Sequence, residues 1–191
     1  MNVPIDITGI RLYTKRSILR PWTMEDLNDF YEYASVDGVG QMAGWQPHKD
    51  LDKSRQILTI FIEGRKTFAL ELNGKCIGSL GIEEYDEQKF PEFADLKVRE
   101  IGFVLSKAYW GQGLMPEAVA EVQRWLFEDI GLDMITCGYF AWNQQSARVQ
   151  QKCGFLPYKT IQFETRCGTT EETIEGTLTR DAWQKRVASH K

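Results

Sequence analysis

The sequence predicts an α/β (α+β) fold: a mixed, mostly antiparallel central sheet, helices on both faces, and one parallel βαβ unit. Three observations carry this. The period-two runs "TFALEL" (67–72) and "KCIGSLGI" (75–82) flank Asn73-Gly74, a dipeptide that tolerates positive φ at both residues and so closes a tight hairpin. A strand-like run at 96–105, a helical run from about 114 to 129 and a strand-like run at 133–140 follow one another, and such a crossover joins parallel neighbours. Most other strand-like runs are linked by short turns, which implies antiparallel pairing.

The elements follow in order. "IRLYTKRSILR" (10–20) alternates loosely and stops at Pro21, which fits a first strand. Thr23 is placed to cap a helix, with Asp26 three residues on, and Leu27, Phe30, Tyr31 and Ala34 recur at helical spacing. "SVDGVGQMAGWQPH" (35–48) carries three glycines and Pro47 and reads as irregular. Ser54, Ile57, Leu58 and Phe61 mark a second helix, with Gly64 as its stop. After the hairpin, the polar stretch 84–95 with Pro91 reads as a loop. "LKVREIGFVL" (96–105) is the next strand, and Leu114, Ala118, Val122, Trp125 and Leu126 trace one face of the helix that Gly131 ends. After strand 133–140, Asn143 caps a short helix running to Cys153, with Gly154 at its stop. "TIQFETR" and "TIEGTLT" pair around Cys167-Gly168, and "RDAWQKR" closes the chain as a helix.

Composition narrows the function classes. With 191 residues, 42% hydrophobic and 26% charged, the chain suits one domain over 1–191. A net charge of −4 argues against nucleic acid as the main partner. "MNVPIDITGI" has no signal-peptide pattern, and no apolar run approaches the roughly 18 residues a membrane span needs, so the expectation is a cytoplasmic protein without a membrane partner. Cys76, Cys137, Cys153 and Cys167 form no CxxC, and His48 and His190 are the two histidines, so no metal is expected and the thiols are read as reduced.

"YWGQGLMPEA" (109–118) places two glycines directly before a helix. A helix start exposes unpaired N–H groups and partial positive charge, and glycines let an anion approach the backbone closely. The stretch is therefore a candidate phosphate cradle; a tight strand-to-helix turn explains the same glycines. No Lys-Ser or Lys-Thr follows Gly113, so this is not a P-loop. Pro116 stands where a Rossmann fingerprint needs its third glycine.

Taken with "NQQSARVQQKCGF" (143–155), the cradle resembles the GNAT superfamily of acetyl-CoA-dependent N-acyltransferases. Within it the likeness is to the ribosomal-protein-alanine acetyltransferase-like branch, carried by "TKRSILRPW" (14–22), "EIGFVLSKAYWGQGLMPEA" (100–118), the 143–155 stretch and "LTRDAW" (178–183). It covers about 10–185. Trp110 occupies the superfamily's Gln/Arg position, Met115 stands where Gly or Ala is usual, and Gln150 replaces a common leaving-group tyrosine.

The resemblance implies acetyl transfer from acetyl-CoA to a primary amine, either a protein N-terminus or a small molecule, by a monomer or homodimer. It assigns the pyrophosphate to backbone from Gly111 through Gln112, Gly113 and Leu114 to Met115. The pantetheine arm falls to Phe103, Val104 and Leu105, with Asn143 and Ser146 beside it. The amine must lose a proton, because an α-amine has a pKa of about 8 and a lysine about 10.4. Glu100 is the first candidate base, since it shares a strand face with Gly102 and Val104; Glu83 is the reserve. Ser146 is placed to donate to the leaving sulfur or to bond its own helix turn, with Tyr109 and Tyr139 as rival acids. Trp45 and Glu83 are the substrate-side candidates, His48 an alternative base, and the acidic stretch 83–95 either attracts a cationic amine or is a solvated loop. A non-catalytic acyl-CoA-binding module is the alternative from another class.

Overall fold

The computed structural model describes residues 1–189; His190 lies outside them. Eight strands form one sheet: β1 (Leu12–Tyr13), β2 (Ile18–Pro21), β3 (Thr67–Leu72), β4 (Lys75–Glu83), β5 (Val98–Leu105), β6 (Met134–Phe140), β7 (Leu156–Glu164) and β8 (Thr170–Thr179). Their order is β1-β2-β3-β4-β5-β6-β8-β7. Among these eight strands of the described residues, β5 and β6 pair in parallel and every other neighbouring pair is antiparallel.

Five helices complete the order: α1 (Leu27–Ala34), α2 (Leu51–Gly64), α3 (Leu114–Arg124), α4 (Gln144–Lys152) and α5 (Arg180–Ala188). They cover both faces. Phe68, Leu80, Ile101 and Ile135 of the sheet pack with Leu114, Ala118 and Val122 of α3. Ala69 and Val104 point the other way, into a cluster with Phe30 of α1 and Leu58 of α2.

Local sequence accounts for most boundaries. Thr23 and Asp26 form the capping box ahead of α1. Asn73 and Gly74 take φ of 51° and 80°, the two positive values of the tight hairpin turn. Asn143 caps α4 by accepting from the Ser146 N–H at 3.1 Å.

Four expectations are corrected. The 10–20 run is two strands, because Thr14 and Ser17 join side chain to side chain at 2.8 Å and close a turn between them. Arg65, at φ 50°, takes the left-handed residue that ends α2, one position after Gly64. The helix from 114 does not stay regular to 129. Over Trp125–Asp129 it widens to a π turn, with Ile130 N–H bonding Trp125 O, and this buries Trp125, Leu126 and Phe127 together. The 84–95 stretch is not merely solvated: Tyr85, Phe90 and Phe93 are buried with Val98 and Met134, and the Phe90 and Phe93 rings stack at 5.6 Å.

One buried polar network ties the first helix to the sheet. Arg20 forks onto both Asp26 oxygens at 2.8 Å, and its Nε reaches Glu71 at 2.5 Å. The Arg20 and Asp26 side chains are only 13% and 9% exposed. Asp26→Asn leaves a buried guanidinium short of charge, which typically costs about 3 kcal/mol. At roughly 2–4 °C per kcal/mol for a chain of this size, the melting temperature is expected to fall by about 6–12 °C. Calorimetry or a urea titration checks this; a change under about 1 °C rules it out.

Candidate active site

After Val98–Glu100 pair with Met134–Thr136, β5 and β6 part. β5 stays with β4 to Leu105, and β6 stays with β8 to Phe140. The gap is a cleft of about 340 Å³. Phe103, Val104 and Leu105 line it from β5; Gly111, Gly113, Leu114 and Met115 line it from the start of α3; Asn143 and Ser146 line it from the start of α4.

The glycine loop is bent and held from both sides. Gly111 and Gly113 both have φ of 76°, which only glycine adopts cheaply, and open space surrounds the point where a Gly111 side chain would begin. The Trp110 indole donates to Leu105 O at 2.8 Å, tying the loop to β5. From the β1–β2 turn, Arg16 donates to Gln112 O at 2.9 Å and pairs with Glu117. Gln112 does not line the cleft; its amide turns back to Ala108 O. Met115 is buried in the core as well as bordering the cleft. Nothing in the residue types at 14–22 announces the Arg16 contact, which spans 96 positions.

Asn143 is committed at both ends, since its amide nitrogen donates to Met42 O at 3.1 Å. Ser146 is half-buried, and among the described residues its hydroxyl has no hydrogen bond. Gln150 lies outside the cleft. It is 3% exposed, aimed at Gly176, and neither amide atom has a partner among the described residues. Tyr109 lines the cleft, whereas Tyr139 lines neither this cleft nor the next.

A second, wider cleft of about 1040 Å³ opens on the α1–α2 side. It shares Ala43, Phe103 and Val104 with the first, so the two meet at the last two of these, on β5, under the 40–43 turn. Trp45, His48, Phe61, Phe163, Gly102 and Glu83 contribute to its walls. His48 is buried, with Nδ1 at 2.7 Å from Ser54 Oγ; burial, reinforced by Lys53, holds its pKa below the ordinary value. Glu83 pairs with Lys66.

Glu100 faces Glu83 in register, one step down the strand face from Gly102, and is half-buried. Burial, then the carboxyls of Glu175 and Glu83, push its pKa up to about 8. Glu175, on β8, is 5% exposed and is pushed by burial to about 7. Sequence reasoning passed over Glu175, although it is the one acid in "TIEGTLT".

Residues 16–156 match the family model described as Acetyltransferase (GNAT) domain. The chain belongs to the GNAT acetyltransferase family. As a GNAT member it is an acetyltransferase, of a family that uses acetyl-CoA. It is 27% identical over 170 residues to the uncharacterized N-acetyltransferase YoaA of Bacillus subtilis, covering 85% of this chain and 92% of that protein. It is 31% identical over 87 residues to the FsC-acetyl coenzyme A-N(2)-transacetylase of Aspergillus fumigatus, a match spanning 44% of this chain and 37% of that protein. The fold is shared with RimJ of Mycobacterium smegmatis, solved in complex with CoA-disulfide: the TM-score is 0.72 at 18% identity, over 95% of this chain and 93% of that one. Among the described residues no acidic, histidine or cysteine cluster suits a metal ion, and no helix is long and apolar enough to cross a membrane.

The raised pKa of Glu175 has a consequence for stability. Between its ordinary value of 4.5 and about 7, the folded protein keeps a proton that the unfolded chain has released. Stability from this group therefore falls as pH rises through that window and levels off above it. In Glu175→Gln this group's share of the dependence disappears, and that of Glu100 remains. Relative to wild type, the variant is expected to gain on the order of 2 kcal/mol between pH 5 and pH 8. Paired urea titrations at the two pH values check this, and an unchanged difference refutes it.

Proposed function

We propose that this chain transfers an acetyl group from acetyl-CoA to a primary amine, with Glu100 accepting the amine's proton. The observation that carries the reading is the meeting of two clefts at Phe103 and Val104. One cleft suits the thioester arm, and the other is wide enough for an amine acceptor of substantial size.

The narrow cleft fits the cofactor chemically. Backbone from Gly111 to Met115 lies at the start of α3, where free N–H groups and the helix dipole favour phosphate. Beyond Glu100, the β6-facing edge of β5 has no strand partner, so Phe103, Val104 and Leu105 can pair with an amide-bearing arm as an added strand does. When bound, acetyl-CoA supplies an acetyl group activated as a thioester. The Val104 region offers a strand N–H toward the developing oxyanion. Ser146, with a hydroxyl uncommitted among the described residues, donates to the departing thiolate.

In the wide cleft, Trp45 and its aromatic neighbours form the wall and Glu83 adds negative charge. Glu100 lines neither cleft but lies one step down the strand face from Gly102 of the wide one, so an ammonium arriving there favours its ionised form and the proton passes from nitrogen to that carboxylate through water. The resemblance to the ribosomal-protein-alanine acetyltransferase-like branch favours a protein N-terminal amine. The width and aromatic lining of the cleft also suit a bulky small-molecule amine.

CoA at 100 times its dissociation constant should stabilise the fold by about 2.7 kcal/mol. That is a melting shift of roughly 5–10 °C, with much less from ATP or NAD. No shift at millimolar CoA rejects the cofactor assignment.

Glu100→Gln keeps shape but cannot accept the proton, and should cost about 10²–10⁴-fold in rate with CoA affinity nearly unchanged. In the wild type, kcat/KM should climb as pH rises through about 8, because Glu100 ionises there. The variant's deficit should shrink as pH approaches the amine's own pKa. Ser146→Ala should show no such rescue. Rates for the best acceptor from an amine and peptide panel across pH 6–9 decide this, and wild-type turnover by Glu100→Gln throughout removes the role.

A further inference from the structure

The sheet face that carries the half-buried Glu100 also carries a fully buried acid the reaction scheme does not use, Glu175. Register places Glu100 beside Thr136 of β6, and Glu175 of β8 opposite Gly138, two residues further along β6. All four residues point to the same face. A side chain at Gly138 would begin 2.6 Å from Glu175 Oε1, so the glycine is what lets that carboxyl lie over β6, on the side of β5. Glu175 Oε2 is buried with no hydrogen-bond partner among the described residues, and the same is true of Thr136 Oγ1 between the two acids. An isolated carboxylate in such a place is costly unless it takes up a proton or shares its field with a neighbour.

We propose that Glu175 is a positioning residue for amine deprotonation: buried across β6 from Glu100, it sets the proton affinity of Glu100, so that the two carboxyls ionise one after the other. This rests on Glu100 being the group that receives the amine's proton. The pair behaves as two like charges in a dry setting, where the first ionisation opposes the second. Both acids are held above the usual carboxylate range: burial raises each, and at Glu100 the carboxyl of Glu175 adds the largest charged influence. The other charged groups facing the pair are Glu83 of β4 with its partner Lys66, Asp86 and Lys89 of the 84–95 loop, and Lys159 of β7, which lies in register with Glu175. Lys89 favours ionisation of both acids, while Glu83 and Asp86 oppose it at Glu100. With Glu175 charged, Glu100 is a stronger base than a lone surface glutamate, which suits removal of a proton from an amine.

The test is carboxyl-carbon NMR of glutamate-labelled protein, titrated from pH 4 to 10, with Glu100 assigned by its loss in Glu100→Gln. In Glu175→Gln the Glu100 midpoint is expected to fall by about one pH unit, a tenfold loss of proton affinity, with circular dichroism and CoA affinity unchanged. Linkage requires the reciprocal: in Glu100→Gln the Glu175 midpoint falls by a similar amount, and this arm stands even if Glu175→Gln folds poorly. A Glu100 midpoint that stays put in folded Glu175→Gln, or a Glu175 midpoint that stays put in Glu100→Gln, overturns the pairing without reference to activity. The rising limb of kcat/KM against pH should move with the NMR midpoint. If the midpoint moves and the limb does not, Glu175 has no part in deprotonation and Glu100 is not the base.

Discussion

The short contact between β5 and β6 is the constraint on which the rest depends. Three residue pairs hold the two strands parallel before each is claimed by its other neighbour, β5 by β4 through Leu105 and β6 by β8 through Phe140. Backbone groups bared by the parting need partners, and the chain supplies few of them. The Trp110 indole takes one, Leu105 O. The rest of the exposed edge faces a cleft flanked by the starts of two helices, α3 and α4, where further unpaired N–H groups gather. An interrupted sheet thus offers the unpaired edge on which the proposed binding of an extended polar molecule depends.

Electrostatics on the other sheet face follow from what covers it. The 84–95 loop carries five acidic residues, but its buried aromatic residues anchor it against Val98 and Met134. Exclusion of water there raises the pKa values of Glu100 and Glu175, and the same effect lowers that of His48 in the wide cleft. All three shifts favour uncharged forms. An entering cation therefore changes the ionisation of Glu100 and Glu175 more than it would on an open surface.

Most of the fold was legible because its signals are local. Asn73-Gly74, the strand–helix–strand succession and the Asn143 cap are each decided within a few residues, and each forms as its chemistry requires. The features that escaped reading need partners distant in sequence or depend on side-chain detail. Thr14 and Ser17 break an alternating run through their hydroxyls, and no hydrophobic pattern encodes that. The π turn at Trp125–Asp129 reflects packing of three large side chains rather than any breaker residue. At the site, spacing brought Phe103–Leu105, the glycine loop, Asn143 and Ser146 to one cleft, while Gln112 turned away and Glu175 went unnoticed. An acid in a threonine-rich strand looks solvated until the register sets it against Gly138.

Trp110 and Arg16 show how a departure from the superfamily pattern is accommodated. A glutamine or arginine at position 110 is replaced by an indole whose only polar atom is spent on Leu105 O. The guanidinium nearest the loop, Arg16, is paired with Glu117 and bonded to Gln112 O. Its charge is largely neutralised, so the loop gains rigidity from it more than field. With both side chains acting as struts, the phosphate role proposed for this loop rests on its backbone, two glycines at positive φ and the first turn of α3, with Arg148 and Lys152 lining the same cleft. Groups held in advance lose little freedom when they bind, so the two struts favour the proposed binding by fixing the loop beforehand.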